Sequence, residues 1–152
     1  MILNGLIESV EVQRSPVGGP IQSLETDLKI TDVKEVQGNL EATFFYEVKY
    51  GQDIGFVRMA GRLLVSAPNK AAQDDVLAAW SKDKSTPLGF SQEVVNAAYN
   101  LCTINSVLAT RIVNLSPPFP PMSIDLTKGL ANAQKGAAPA RPATPSTTKR
   151  KR

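Results

Sequence analysis

Histidine is missing from all 152 residues, and cysteine occurs once, at Cys102. Those two shortages remove much catalytic and metal chemistry at the outset. Zinc takes thiolate or imidazole ligands, and one thiol is too few. A carboxylate-only site for a hard cation would need calcium-loop spacing, which no loop has. A lone cysteine cannot close an intrachain bridge, so a disulfide-framed secreted domain is excluded and a reducing compartment is favoured. A nucleophilic thiol needs a neighbouring base, and the usual one is absent, so Cys102 reads as packing. No run reaches the ~18 apolar residues of a membrane span. Residues 1–10 carry Glu8 and lack the basic n-region of a signal peptide. The expectation is a soluble, cytoplasmic protein with no metal and no cofactor.

Phosphate-cradling and acyl-transfer motifs are absent too. Gly18-Gly19 is the one glycine pair, without the spacing or following helix of a nucleotide loop. With no serine-centred elbow and no Walker-type lysine, no catalytic residue is assigned and an enzyme is not expected.

The charge is unevenly placed. Residues 1–127 hold ten basic against fourteen acidic side chains, a net of −4, whereas residues 128–152 hold seven basic and no acidic ones, a net of +7. The overall +3 therefore describes the tail. It gives no licence to call the domain a nucleic-acid binder.

The first half has the period of strands. In residues 3–14 the alternation of Leu6, Ile7, Val10 and Val12 breaks near Glu8, which predicts an edge strand or a bulge. Pro16 to Pro20 forces a turn or loop. Leu24, Leu28 and Ile30 alternate with Glu25, Asp27 and Lys29. Leu40, Ala42, Phe44, Tyr46, Val48 and Tyr50 share one face of the next strand, with Glu41, Thr43, Phe45, Glu47 and Lys49 on the other. Val57, Met59, Gly61, Leu63 and Val65 then alternate with Phe56, Arg58, Ala60, Arg62 and Leu64. Short links through this block predict an antiparallel meander.

The second half has the period of helices. Ala72, Val76, Leu77 and Trp80 recur at helical spacing after Pro68-Asn69. A loop is expected over 83–90, then a helix capped by Ser91 with Glu93 in its first turn. Val94, Ala98, Leu101, Asn105, Leu108 and Ile112 form its expected apolar stripe, flanked by Val95, Cys102 and Ala109. The fold class is α+β, a four-stranded antiparallel sheet with two helices packed on one face.

The helix cannot pass Pro117, Pro118, Pro120 and Pro121, so an extended exit follows. Phe119, Met122 and Ile124 make that exit apolar, suited to covering the domain's own sheet or to walling a partner groove. Residues 131–152 contain no Leu, Ile, Val, Phe, Tyr or Trp. They cannot bury enough surface to offset ordering entropy. The expected division is a domain over 1–127 and a basic, Ala/Pro/Thr-rich disordered tail over 128–152.

The strand block Leu24 to Val65, the helix block Ala71 to Val113 and the exit Asn114-Leu115-Ser116-Pro117-Pro118-Phe119-Pro120-Pro121 together resemble the SecB-type protein-export chaperone family, in particular its short archaeal and SecB-like members. The resemblance covers roughly residues 3–126. It implies four antiparallel strands with two helices, no active site, sheets joined across subunits into dimers and tetramers, and long apolar grooves that hold unfolded clients. The tail departs from the acidic ending of the export chaperones, and no motif for an export motor can be matched.

Chemistry and position put the client-binding groove at Leu63, Leu64, Trp80, Leu88, Phe90, Phe119 and Met122. Trp80 suits either a client anchor or the core. Phe45 suits burial under a helix or at a subunit contact. Asn105 either sets helix pairing or is satisfied by an adjacent loop. Asp74-Asp75 reads as support for a helix N-terminus. Arg58 and Arg62 read as cross-strand partners of Glu41 and Glu47. Expected partners are unfolded polypeptide clients and further copies of the chain, as dimer or tetramer through residues 3–14. Lys149, Arg150, Lys151 and Arg152 would give a salt-sensitive contact to RNA or an anionic surface. Two other readings stand beside the holdase. One is a structural component of a nucleoprotein particle, such as a ribosome-associated protein, anchored by that tail. The other is a SecB-like chaperone dedicated to one partner.

Overall fold

The computed structural model describes residues 1–16, 19, 21, 23–51 and 53–118. Four strands, β1 (Ile2–Arg14), β2 (Leu24–Val36), β3 (Asn39–Tyr50) and β4 (Gly55–Val65), precede α1 (Lys70–Asp83) and α2 (Leu88–Ile112). Every pairing is antiparallel and the lateral order is β1-β4-β3-β2. The meander runs through β2, β3 and β4, and β1 closes the far side beside β4. Both helices lie on one face, α2 across the strands and α1 chiefly against β2. This is the α+β architecture expected from the periodicities.

Local chemistry explains each element. Gln37 (φ 51°) and Gly38 (φ 76°) form the two-residue link between β2 and β3, and two positive φ values match the right-handed twist of the flanking strands. On β3 the helix-side residues Leu40, Ala42, Phe44, Tyr46, Val48 and Tyr50 are all buried. Phe44 stands directly opposite Gly61 of β4. A Cβ at Gly61 would come 2.8 Å from the Phe44 ring and 2.2 Å from the Leu6 carbonyl oxygen. The missing side chain leaves room for the Phe44 ring and for the close approach of β1.

β1 is an edge strand whose register slips between Ile7 and Ser9. The bulge falls where the alternation breaks at Glu8.

Two helix expectations are corrected. α2 begins at Leu88 with Pro87 (φ −52°) at its cap position, three residues before Ser91. Proline's fixed φ is already set for helix entry, and the Ser91 amide donates to the Pro87 carbonyl. The Asp74-Asp75 pair does not sit in the first turn of α1. Asn69 caps that helix through a 2.8 Å bond from the Ala72 amide, and Asp74 pairs with Lys70 at 3.3 Å.

The buried face of α2 also differs from the expected stripe. Val94, Ala98, Cys102, Ser106 and Ala109 are buried with Thr103 and Thr110, whereas Leu108 and Ile112 are 63% and 79% exposed. Small side chains let the helix approach the sheet closely. Gly5 of β1 serves the same end, since a Cβ there would meet the Leu63 and Leu101 side chains at 2.8 and 3.1 Å.

Candidate functional site

The end of the sheet where β3 starts and β4 finishes meets the first turns of both helices. Between them lies a cavity of about 310 Å³, lined by apolar groups of Leu40, Val65, Ala72, Val76, Pro87 and Phe90. Asp75 and Glu93 border it. Leu40 and Val65 come from directly paired positions on neighbouring strands. Pro68, in the link after β4, and Pro87, the cap residue of α2, both line it. The site offers apolar surface with a charged border. The Met1 ammonium pairs with Glu93 at 2.9 Å on its border, and among the described residues no three His, Cys, Asp or Glu side chains gather as metal ligands.

The seven groove candidates are only partly brought together. Phe90 lines the cavity, half-buried, and Leu88 beside it is 44% exposed. Leu63 and Trp80 are buried in the core. The Trp80 indole N–H donates to Asp32 Oδ1 at 3.3 Å, and the Lys84 ammonium stands 5.4 Å from its ring centre. Leu64 is half-buried on the opposite face of the sheet. Phe119, Met122 and the tail residues Lys149, Arg150, Lys151 and Arg152 lie outside the described residues. Leu40, Val65 and Val76 were missed, because convergence of a sheet end with two helix starts leaves no periodic signal.

Two further apolar surfaces face outward. On α2, Ile104, Leu108 and Ile112 are 60–79% exposed at steps of four. On β1, Leu3, Leu6 and Val10 are about half exposed along an unpaired edge. Asn105, within the α2 stripe, donates to its own helix's Leu101 carbonyl at 2.8 Å, not to a loop.

The sheet face away from the helices carries the expected ion pairs. Arg58 meets Glu47 at 2.6 Å and Glu11 at 3.6 Å, and Arg62 meets Glu8 at 3.1 Å and Glu41 at 3.5 Å. The Arg58 guanidinium holds the Glu47 carboxyl below its ordinary range. The same guanidinium lies 4.1 Å from the Phe56 ring centre. Phe45 lies on this face, half-buried, so no helix covers it. Cys102 is fully buried, and burial pushes its thiol up to about 12, far from a reactive thiolate.

At the opposite end of the sheet the chain leaves α2 across the strand ends. Arg14 donates to the carbonyls of Val113 and Asn114. Leu115 is buried beside Gly55, and the Tyr50 hydroxyl donates to the Ser116 carbonyl at 2.6 Å. Burial pushes the Tyr50 hydroxyl up to about 12. Pro117 and Pro118 then reach β2 at a cavity of about 470 Å³ lined also by Ile21, Leu24, Thr26 and Tyr99.

No family model matches the sequence, and no curated protein matches it. Among solved structures, the fold is similar to the SecB-like chaperone Rv1957 of Mycobacterium tuberculosis, solved in complex with a ChAD peptide from the Rv1956 HigA1 antitoxin. The TM-score is 0.52 and the identity 13%, over 82% of this chain and 87% of that one. A protein of unknown function from Streptococcus agalactiae aligns at a TM-score of 0.27 and 8% identity, over 82% of this chain and 95% of that one. The fold is thus SecB-like. Among the described residues no helix is long and apolar enough to cross a membrane.

Proposed function

We propose that this protein is a non-enzymatic, cytoplasmic holdase that binds extended apolar segments of unfolded polypeptides. The observation that carries the reading is the apolar cavity beside Phe90, open between the sheet and both helices and bordered by Asp75 and Glu93. Apolar transfer is worth ~25 cal/mol per Å². A client burying a few hundred Å² there gains several kcal/mol before the cost of association. Binding the unfolded form holds it away from aggregation by mass action. Leu88 and Phe90 contact the client there, whereas Phe119 and Met122, two other groove candidates, lie outside the described residues.

Copies of the chain assemble into a dimer or tetramer through residues 3–14. Supporting this, β1 is an unpaired edge with Leu3, Leu6 and Val10 exposed, and an unprotected edge is a template for strand pairing. The α2 stripe supplies a second contact between copies. Residues 1–127 form the working domain, and 128–152 a separate basic tail.

A reading with a single dedicated client is favoured by one observation. The SecB-like structure from Mycobacterium tuberculosis holds a peptide from one antitoxin, and this chain shares its fold. Aggregation suppression separates the readings. The full chain is mixed with several chemically unfolded proteins, alongside Phe90→Asp. A holdase lowers light scattering for most clients and loses that effect in the variant, whereas a dedicated chaperone acts on none of the panel. Equal suppression by both chains would remove the Phe90 cavity from the mechanism.

A further inference from the structure

The free edge of β1 and the exposed stripe of α2 lie side by side. Leu101 of α2 packs where Gly5 of β1 has no side chain. Farther along, Arg14 at the end of β1 donates to the Val113 and Asn114 carbonyls just past the helix. The second half of α2 therefore runs along β1. Leu108 and Ile112 follow Leu101 by two and three turns, about 20° to either side of it around the axis. Both are exposed, so the helix turns an uncovered apolar flank toward the strand whose outer edge has no neighbour.

The bulge at Glu8 restricts which strand fits that edge. Before it, Gly5 and Ile7 face the helices and Asn4 and Leu6 face away; after it, Val10 and Val12 face the helices and Ser9, Glu11 and Gln13 face away. Glu8 faces away as well, since it pairs with Arg62. A regular strand laid against this edge falls out of step at the bulge, because a one-residue slip exchanges faces. A second β1, turned about a two-fold axis at the bulge, keeps step throughout. Asn4 then meets Gln13, Gly5 meets Val12, Leu6 meets Glu11, Ile7 meets Val10 and Glu8 meets Ser9, with no like charges opposite. Shifting by two residues one way sets Glu8 against Glu11, a repulsive pair. Shifting by two the other way sets Ile7 against Glu8, on opposite faces. We propose that a second copy of this chain binds β1 in the Ile7-to-Val10 register, and that the same two-fold axis brings the Leu101, Leu108 and Ile112 flanks of the two helices together above the seam. This rests on the reading that copies join through residues 3–14. It makes edge and stripe one interface with one register.

The test mixes two full-length variants, Ile7→Cys and Val10→Cys, one of them isotope-labelled so that mass distinguishes mixed from like pairs. Cys102 stays in place because it is fully buried. Directly opposed residues stand about 4.5–5.5 Å apart between Cα atoms, within disulfide range. Mild oxidation should give a mixed disulfide dimer, and each variant alone should give none, because neither position opposes itself. Adding Leu108→Glu and Ile112→Glu to both chains should lower the yield at least tenfold. Like pairs forming as readily as mixed ones, or no disulfide in a mixture that light scattering shows to be dimeric, would overturn the register while leaving assembly standing. A monomeric mixture would overturn both. An unchanged yield with the two glutamates would separate the stripe from the edge and reject the single interface.

Discussion

The Tyr50 hydroxyl donates 2.6 Å to the carbonyl of Ser116 and ties the last residue of β3 to the exit from α2. The link joins a fully buried ring to a segment that crosses the strand ends. It fixes the path of the chain before the proline run begins.

Tyr50→Phe keeps the ring and leaves the Ser116 carbonyl without its donor. The expected loss is about 1 kcal/mol. Urea unfolding should show a lower midpoint at unchanged slope.

The alkaline limb of stability follows from three buried neutral acids, and burial pushes the Tyr46 hydroxyl up as it does the other two. Burial pushes Tyr50 from its ordinary 10 to about 12, and Cys102 from its ordinary 9 to about 12. All three are neutral acids whose folded pKa is raised, so the unfolded chain loses protons first. Their contribution is fully present below the unfolded values and is lost as pH rises from about 9 to about 12. Midpoints of urea unfolding should fall across that window, and Tyr50→Phe should flatten the fall. The Cys102 thiol should ignore an aromatic disulfide reagent in the native protein and react on unfolding.

Gly61→Ala places a methyl group against the Leu6 carbonyl and the Phe44 ring. Over-packing of this kind costs ~1–3 kcal/mol. A thermal melt should shift downward, and an unchanged melt would mean that β1 can move away from β4 freely.

Leu108→Glu combined with Ile112→Glu alters an exposed face of α2. Each exposed change should move single-chain stability by no more than ~0.5 kcal/mol. Solution mass should fall if this stripe joins copies. Unchanged mass would exclude the stripe from assembly.

Much of the fold was legible because strand periodicity is local. The two-residue alternation of Leu40 to Tyr50 and of Val57 to Val65 assigned both central strands and their buried faces. The break at Glu8 marked the bulge of β1. The face of α2 was not legible from hydrophobicity alone. Hydrophobicity sets Leu101, Leu108 and Ile112 in the stripe and Cys102 and Ala109 at its flank, yet close approach to a sheet selects for small side chains. Ion pairing of Arg58 with Glu47 followed from the register. The cavity beside Phe90 depends on where β4, α1 and α2 converge, which no single segment encodes. Trp80 and Leu63 show the cost of choosing a groove by side-chain type, since both serve the core.

Light scattering of the full chain, with and without a chemically unfolded client, tests the central claim most directly. The account predicts a defined oligomer that gains mass with the client and retains it through a sizing column. A strict monomer whose mass the client leaves unchanged would contradict it.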